Sequence, residues 1–220
     1  MLSLPKKAMP EAKTIGYDVD DVIAAFGLRT DSDCPLLQQW TAAHYELDMV
    51  ESAIIDQIHA DMREAGDYLN EEELKIRFVG GIFLVAKVDV KHRLRVFYER
   101  PLAAEINGYR LAVICDCLVA SPYGKNSPQK PYFFLQEFKK GKGEKNDPEG
   151  QMLTAMLIAQ QRNEDGQPIY GGFLVGTDWR FAMLIGQEYC VSDKFDATQR
   201  DEIEQIVCIV RRLKDLVLAD

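Results

Sequence analysis

Long apolar runs, paired cysteines and a surplus of basic charge are all missing from this 220-residue sequence. Its most apolar segments, residues 79–86 and 111–120, fall far short of the ~20 residues a membrane helix needs. The opening MLSLPKKAMP has two lysines but no apolar stretch of signal length behind them, so a cytoplasmic protein without membrane contact is expected. Cys34, Cys115, Cys117, Cys190 and Cys208 are odd in number and include no CxxC pair, which argues for reduced thiols and against a disulfide framework. His44, His59 and His92 are too scattered to join those cysteines in a familiar zinc site. Lys and Arg total 26 against 35 Asp and Glu, a formal charge of −9, so the whole-chain balance lacks the basic footprint usual for nucleic-acid binders.

What is present describes a globular chain. Hydrophobic residues make up 47% and charged residues 28%, too apolar for disorder and enough for one sizeable core. A short helix fits residues 19–26. Apolar residues at threes and fours predict helix over 35–65, with a break at 44–48 and a stop at Gly66. Asn70 followed by Glu73 forms a capping box for a second helix, whose apolar stripe is Leu74, Phe78, Ile82 and Val85. At 100° per residue Glu71 falls on that stripe, whereas Glu72 and Glu73 do not. Strand patterns over 95–106 and 109–120 flank Asn107-Gly108, a strong hairpin signal, and a third strand is predicted over 132–139. Asp147-Pro148 supplies an N-cap and a first-turn proline for a helix to about residue 162. Apolar runs at 172–184 and 187–191 and a helix over 198–218 complete a single mixed α/β domain. Residues 1–69 form an arm and helical extension on a core of 70–220.

Chemistry concentrates in two strands. LAVICDCLVA (111–120) holds one charge, Asp116, at its middle. A buried carboxylate there must ionise beside a cation, accept hydrogen bonds or line a cleft; on a half-exposed strand it would simply face solvent. Strand alternation puts Cys115 and Cys117 together on the face opposite Asp116, as buried thiols. In PYFFLQEFKK, alternation places Glu137 and Lys139 on one face, roughly 6–7 Å apart. That spacing lets a carboxylate and an ammonium address one phosphate, although such a triplet also arises at ordinary strand ends. Between residues 125 and 145, six lysines (Lys125, Lys130, Lys139, Lys140, Lys142, Lys145) face two acids (Glu137, Glu144), a local balance of +4 that can hold a phosphate backbone.

NEEELKIRF (70–78), ICDCLVA (114–120), YFFLQEFKK (132–140), GQMLTAMLIAQ (150–160) and GTDWRFAML (176–184) together resemble the PD-(D/E)xK nuclease superfamily. Within it, the chain is most similar to the nuclease domain at the N-terminus of type I restriction subunits and its stand-alone bacterial relatives, over about residues 70–215. The resemblance implies a restriction-endonuclease-like α-β-β-β-α-β core with extra N-terminal helices and a C-terminal helix. It implies Asp116, Glu137 and Glu71 as ligands of Mg2+ or Mn2+, Lys139 as the catalytic lysine and Gln151 as a polar residue beside the metal. The residue before Asp116 is Cys115, where the motif's name has proline. The implied activity is hydrolysis of phosphodiester bonds in DNA, with RNA left open. The lysine cluster would contact the backbone, a homodimer suits duplex cleavage, and a partner protein would supply specificity. A protein retaining the fold for binding or scaffolding without turnover is the alternative.

Overall fold

In the computed structural model the residues described are 12–30, 33–124, 126–139 and 147–219. They form a mixed α/β domain in which helices cover both faces of one sheet.

The helices start where the capping residues put them. α1 (Val19–Phe26) is capped by Asp18, and Gly27 ends it in the left-handed conformation that a residue without Cβ adopts freely. α2 (Pro35–Thr41) and α3 (Met49–Ala65) are separated at 42–48, and a reciprocal Asp48–Glu51 capping box begins α3. Asn70 Oδ1 accepts from the Glu73 N–H at 2.9 Å and Glu73 Oε2 from the Asn70 N–H at 2.9 Å, starting α4 (Glu71–Leu74). The chain does not continue as one regular helix. A π-helical stretch, Lys75–Val79, intervenes before α5 (Gly80–Ala86).

Next comes an antiparallel meander of β3 (Arg95–Ile106), β4 (Tyr109–Tyr123) and β5 (Ser127–Lys139), the first two joined through Asn107-Gly108. α6 (Pro148–Asn163) then crosses over to β6 (Ile169–Val175), which pairs parallel to β5. β7 (Asp178–Ile185) and β8 (Glu188–Val191) extend the sheet antiparallel, and α7 (Arg200–Leu218) ends the described chain. Three two-residue strands escape the sequence patterns: β1 (Lys13–Thr14) beside β4, β2 (Arg29–Thr30) beside β8 and β9 (Phe195–Asp196) beside β7. Their pairing is set by tertiary placement, since two residues carry no periodicity.

Two apolar clusters flank the sheet. α1 and α6 pack with Leu111, Val113 and Cys115 on one side; α3, α5 and α7 pack with Cys117, Val119 and Phe138 on the other. The sheet is buried on both faces at residues 117–120 of β4 and 181–184 of β7, which is why those stretches read as continuous apolar runs.

Candidate metal and nuclease site

The site lies where β4 and β5 part. Their ladder ends at Cys117 paired with Gln136. β3 pairs along the whole of β4 to the hairpin, so β1, joined to Tyr109 and Arg110, takes the β4 edge that β5 has left. β5 instead continues against β6 as far as Lys139 with Val175. Asp116 and Glu137 stand at this fork.

The fork coincides with a reversal of side-chain direction. Val113 and Cys115 belong to the α6-side cluster, whereas Cys117 and Val119 belong to the other. Leu118 and Ala120 rejoin the α6 side. The two cysteines thus face opposite cores, which corrects the alternation expected from sequence. The cause is visible on β3. Tyr98 pairs with Cys117 and Arg100 with Cys115, while Glu99 between them, level with Asp116, has φ +51°, a conformation costly for a residue with a Cβ. Glu99 is tied to Lys75, which also pairs with Glu72 and lies 5.5 Å over the Phe138 ring. β5 carries its own irregularity, a register shift opposite Val119 and Ala120. It leaves Phe133 packed on the same cluster as Phe138, not on the opposite face.

At the fork the Asp116 carboxylate is half-buried, and its Oδ2 accepts from the Phe138 N–H at 3.1 Å, satisfying a backbone donor freed where the ladder stops. Glu137 is only 1% exposed. Burial, reinforced by the Asp116 charge and a hydrogen bond between the two carboxyl groups, raises its pKa well above the usual range; contacts with the backbone and Cys115 oppose the rise weakly. Glu137 Oε1 is buried without a hydrogen-bond partner, and so is Gln151 Oε1 in the first turn of α6. The Cys115 thiol donates to the Cys117 carbonyl at 3.0 Å, and the Cys117 thiol is pushed up by burial and then by Asp116 and Glu137.

Of the residues predicted from sequence, Asp116 and Glu137 meet, and Gln151 sits on α6, which packs against β5. Glu71 is half-buried on α4, and among the described residues no three His, Cys, Asp or Glu side chains gather as a metal-holding group. Lys139 ends β5 in the backbone, but its side chain lies outside what the structure describes, as do Lys125, Lys140, Lys142 and Lys145 and the turn 140–146. Lys130 is exposed and pairs with Glu164 at 3.7 Å.

Tyr17 is a residue of this site that sequence reasoning passed over. Its hydroxyl donates to the Ala112 carbonyl, and burial, then the Glu137 charge, raises its pKa. The segment bearing it crosses α6 so closely that a Cβ on Gly150 would lie 1.7 Å from the Tyr17 carbonyl oxygen. Asp147 fastens the crossing, accepting from the Val19 N–H at 3.1 Å while it caps α6 through Glu149 at 3.0 Å. A glycine inside a helical pattern was the one sequence signal of this approach.

The unpartnered Glu137 oxygen beside the Asp116 carboxylate at the fork suits a hard cation, so this carboxyl pair fits Mg2+ or Mn2+; Gln151 brings a second buried, unpartnered oxygen on α6, which packs against β5. Compared with protein-family models and with curated proteins, the sequence matches none of them.

Proposed function

We propose that this protein is a divalent-metal-dependent nuclease of the PD-(D/E)xK superfamily, hydrolysing phosphodiester bonds in DNA. The carrying observation is Glu137, buried against Asp116 with one carboxyl oxygen unpartnered. Two contacting carboxyl groups without a cation are an expense that a purely structural strand has no reason to keep. The order helix, three antiparallel strands, crossover helix and parallel strand supports a restriction-endonuclease-like core.

Asp116, Glu137 and Gln151 would hold Mg2+ or Mn2+, the metal supplying charge against the phosphodiester oxygens and an acidified water near neutral pH. The Phe138 N–H fixes the Asp116 carboxylate in direction. The Lys139 ammonium is assigned to orienting water or offsetting charge on the leaving oxygen. The strand left by β5 is covered by the Tyr17 segment, which walls one side of the carboxyl pair.

Incubation with plasmid and single-stranded DNA in Mg2+ or Mn2+ tests the reading. Cleavage by wild type, lost in Asp116→Asn and Lys139→Ala, is expected. Undiminished cleavage by Lys139→Ala rejects the lysine's role. Mn2+ binding by calorimetry without cleavage of DNA or RNA replaces the nuclease with a binding protein on the same fold.

A further inference from the structure

The turn between α5 and β3 reads KHRLR, and its cations have no part in the site above. Several surface cations elsewhere are paired, Arg29 with Glu188, Lys87 with Glu51, Lys130 with Glu164, Lys194 with Asp178 and Arg200 with Asp56. Lys91, His92 and Arg93 are consecutive and exposed, and among the described residues none of them forms an ion pair. In a chain of net charge −9, this run of exposed basic side chains without acidic partners is a locally positive surface.

The turn that presents them is rigid. The Arg93 and Leu94 N–H groups both donate to the Val90 carbonyl at 2.9 Å, and the Val90 N–H donates to the Leu94 carbonyl at 2.9 Å. Leu94 is 2% exposed and Val90 packs on the same core, so both feet of the turn are anchored. His92 occupies the tip at φ +65°. Two grooves, of about 770 and 590 Å3, open on either side, and His92 lines both. Their acids are engaged locally: Asp89 accepts from the Val96 N–H at 2.7 Å and Asp165 from the Gln167 N–H at 3.0 Å.

Position ties the turn to the carboxyl pair. β3 begins at Arg95, in register with Ala120, four residues along β4 from Asp116. Four strand residues span ~13 Å, so the turn, which lies beyond Arg95, stands at least about four nucleotides from the fork at ~3.4 Å per strand step.

We propose that Lys91, His92 and Arg93 form a backbone clamp that holds nucleic-acid phosphates four or more nucleotides from the scissile bond. The proposal rests on the nuclease reading but is tested apart from it. Binding of a fluorescein-labelled 30-mer, duplex and single-stranded, is followed by anisotropy in Ca2+ across a NaCl series. Two lost phosphate contacts lower the salt slope by about 1.8 and weaken binding roughly 50-fold near 0.1 M salt. Lys91→Ala/Arg93→Ala should show both effects, whereas Lys91→Arg/Arg93→Lys should bind within about twofold of wild type. Thermal melts check that the exposed substitutions leave the fold intact. An unchanged slope in the alanine variant, or no binding by wild type to either DNA, overturns the clamp. Cleavage by wild type with an unchanged slope in the variant defeats the clamp alone; the predicted slope change without cleavage in Mn2+ defeats the nuclease reading alone.

Discussion

Replacing Glu137 by Gln should stabilise the metal-free protein, the opposite of what removing a fully buried, hydrogen-bonded side chain ordinarily does. The carboxyl is 1% exposed, touches Asp116 and has an oxygen with no partner. Burial and the neighbouring charge raise its pKa in the folded state, so folding takes up a proton wherever the unfolded chain, at its ordinary value of 4.5, has lost it. Stability in EDTA therefore falls as pH rises above that value, by up to about 1.4 kcal/mol per pH unit, until the folded carboxyl also ionises. An amide has the same shape, keeps a hydrogen bond to Asp116 and ionises at no pH in this range. The gain for Glu137→Gln at pH 7 is about 1–3 kcal/mol, or roughly 2–10 °C in melting temperature for a domain of this size. Calorimetric melts from pH 5 to 8 in EDTA measure both slope and offset. Mn2+ at a hundred times its dissociation constant should restore about 2.7 kcal/mol to wild type and nothing to the variant. A variant no more stable than wild type in EDTA at pH 8, or one that Mn2+ stabilises equally, refutes the reasoning.

Two further outcomes concern the frame that carries the site. Burial raises the Glu51 carboxyl, but hydrogen bonds from Lys87, the Asp48 amide and Arg211 outweigh it and bring its pKa from 4.5 to about 2. Its contribution is thus full above pH 4.5 and lost as pH falls towards 2. Because Lys87 is 60% exposed, the ideal linkage energy is discounted to about 1–2 kcal/mol. Urea unfolding of Glu51→Gln should show that deficit at pH 7 and about a quarter of it at pH 2.5; an equal deficit at both would refute it. Gly150→Ala forces a Cβ to 1.7 Å from a backbone oxygen that cannot swing away, so a loss of about 3 kcal/mol or more is expected. A melting temperature within about 2 °C of wild type would show that α6 and the Tyr17 segment are not packed as described.

Local signals were legible in the sequence wherever a few neighbouring residues decide the geometry. The Asn70–Glu73 capping box, the Asp147-Pro148 helix start and the Asn107-Gly108 turn all form where their chemistry predicts. The pairing of Asp116 with Glu137 was foreshadowed by single charges in apolar strands, because burial without a function is expensive there. What failed was the extrapolation of ideal periods. A π-helical stretch interrupts the helix that a uniform 100° wheel draws through this segment, although Leu74, Phe78, Ile82 and Val85 are all buried as the stripe predicts. Gly81 lies within this altered packing, where a Cβ would meet Ile58 Cδ1 at 2.7 Å. Strict alternation likewise put Cys115 and Cys117 on one face. The reversal depends on Glu99 across the ladder, and no pattern within β4 records it.

That reversal sets where the Asp116 carboxylate goes. Arg110, Ala112 and Ile114 face outward on β4, Ile114 being 60% exposed, whereas residues 117–120 are buried on both faces, so Asp116 stands at the transition. With the ladder to β5 ended at Cys117 and the direction of the chain switched at Asp116, the carboxylate enters neither core. It turns along the fork, where the unpaired Phe138 N–H needs an acceptor and Glu137 arrives from the neighbouring strand. Two departures from regular sheet, the left-handed Glu99 and the parted strands, meet at this point. The Glu137 oxygen without a partner is the unsettled remainder at the fork. A cation held between Glu137 and Asp116 would satisfy it, which is what the proposed metal chemistry supplies.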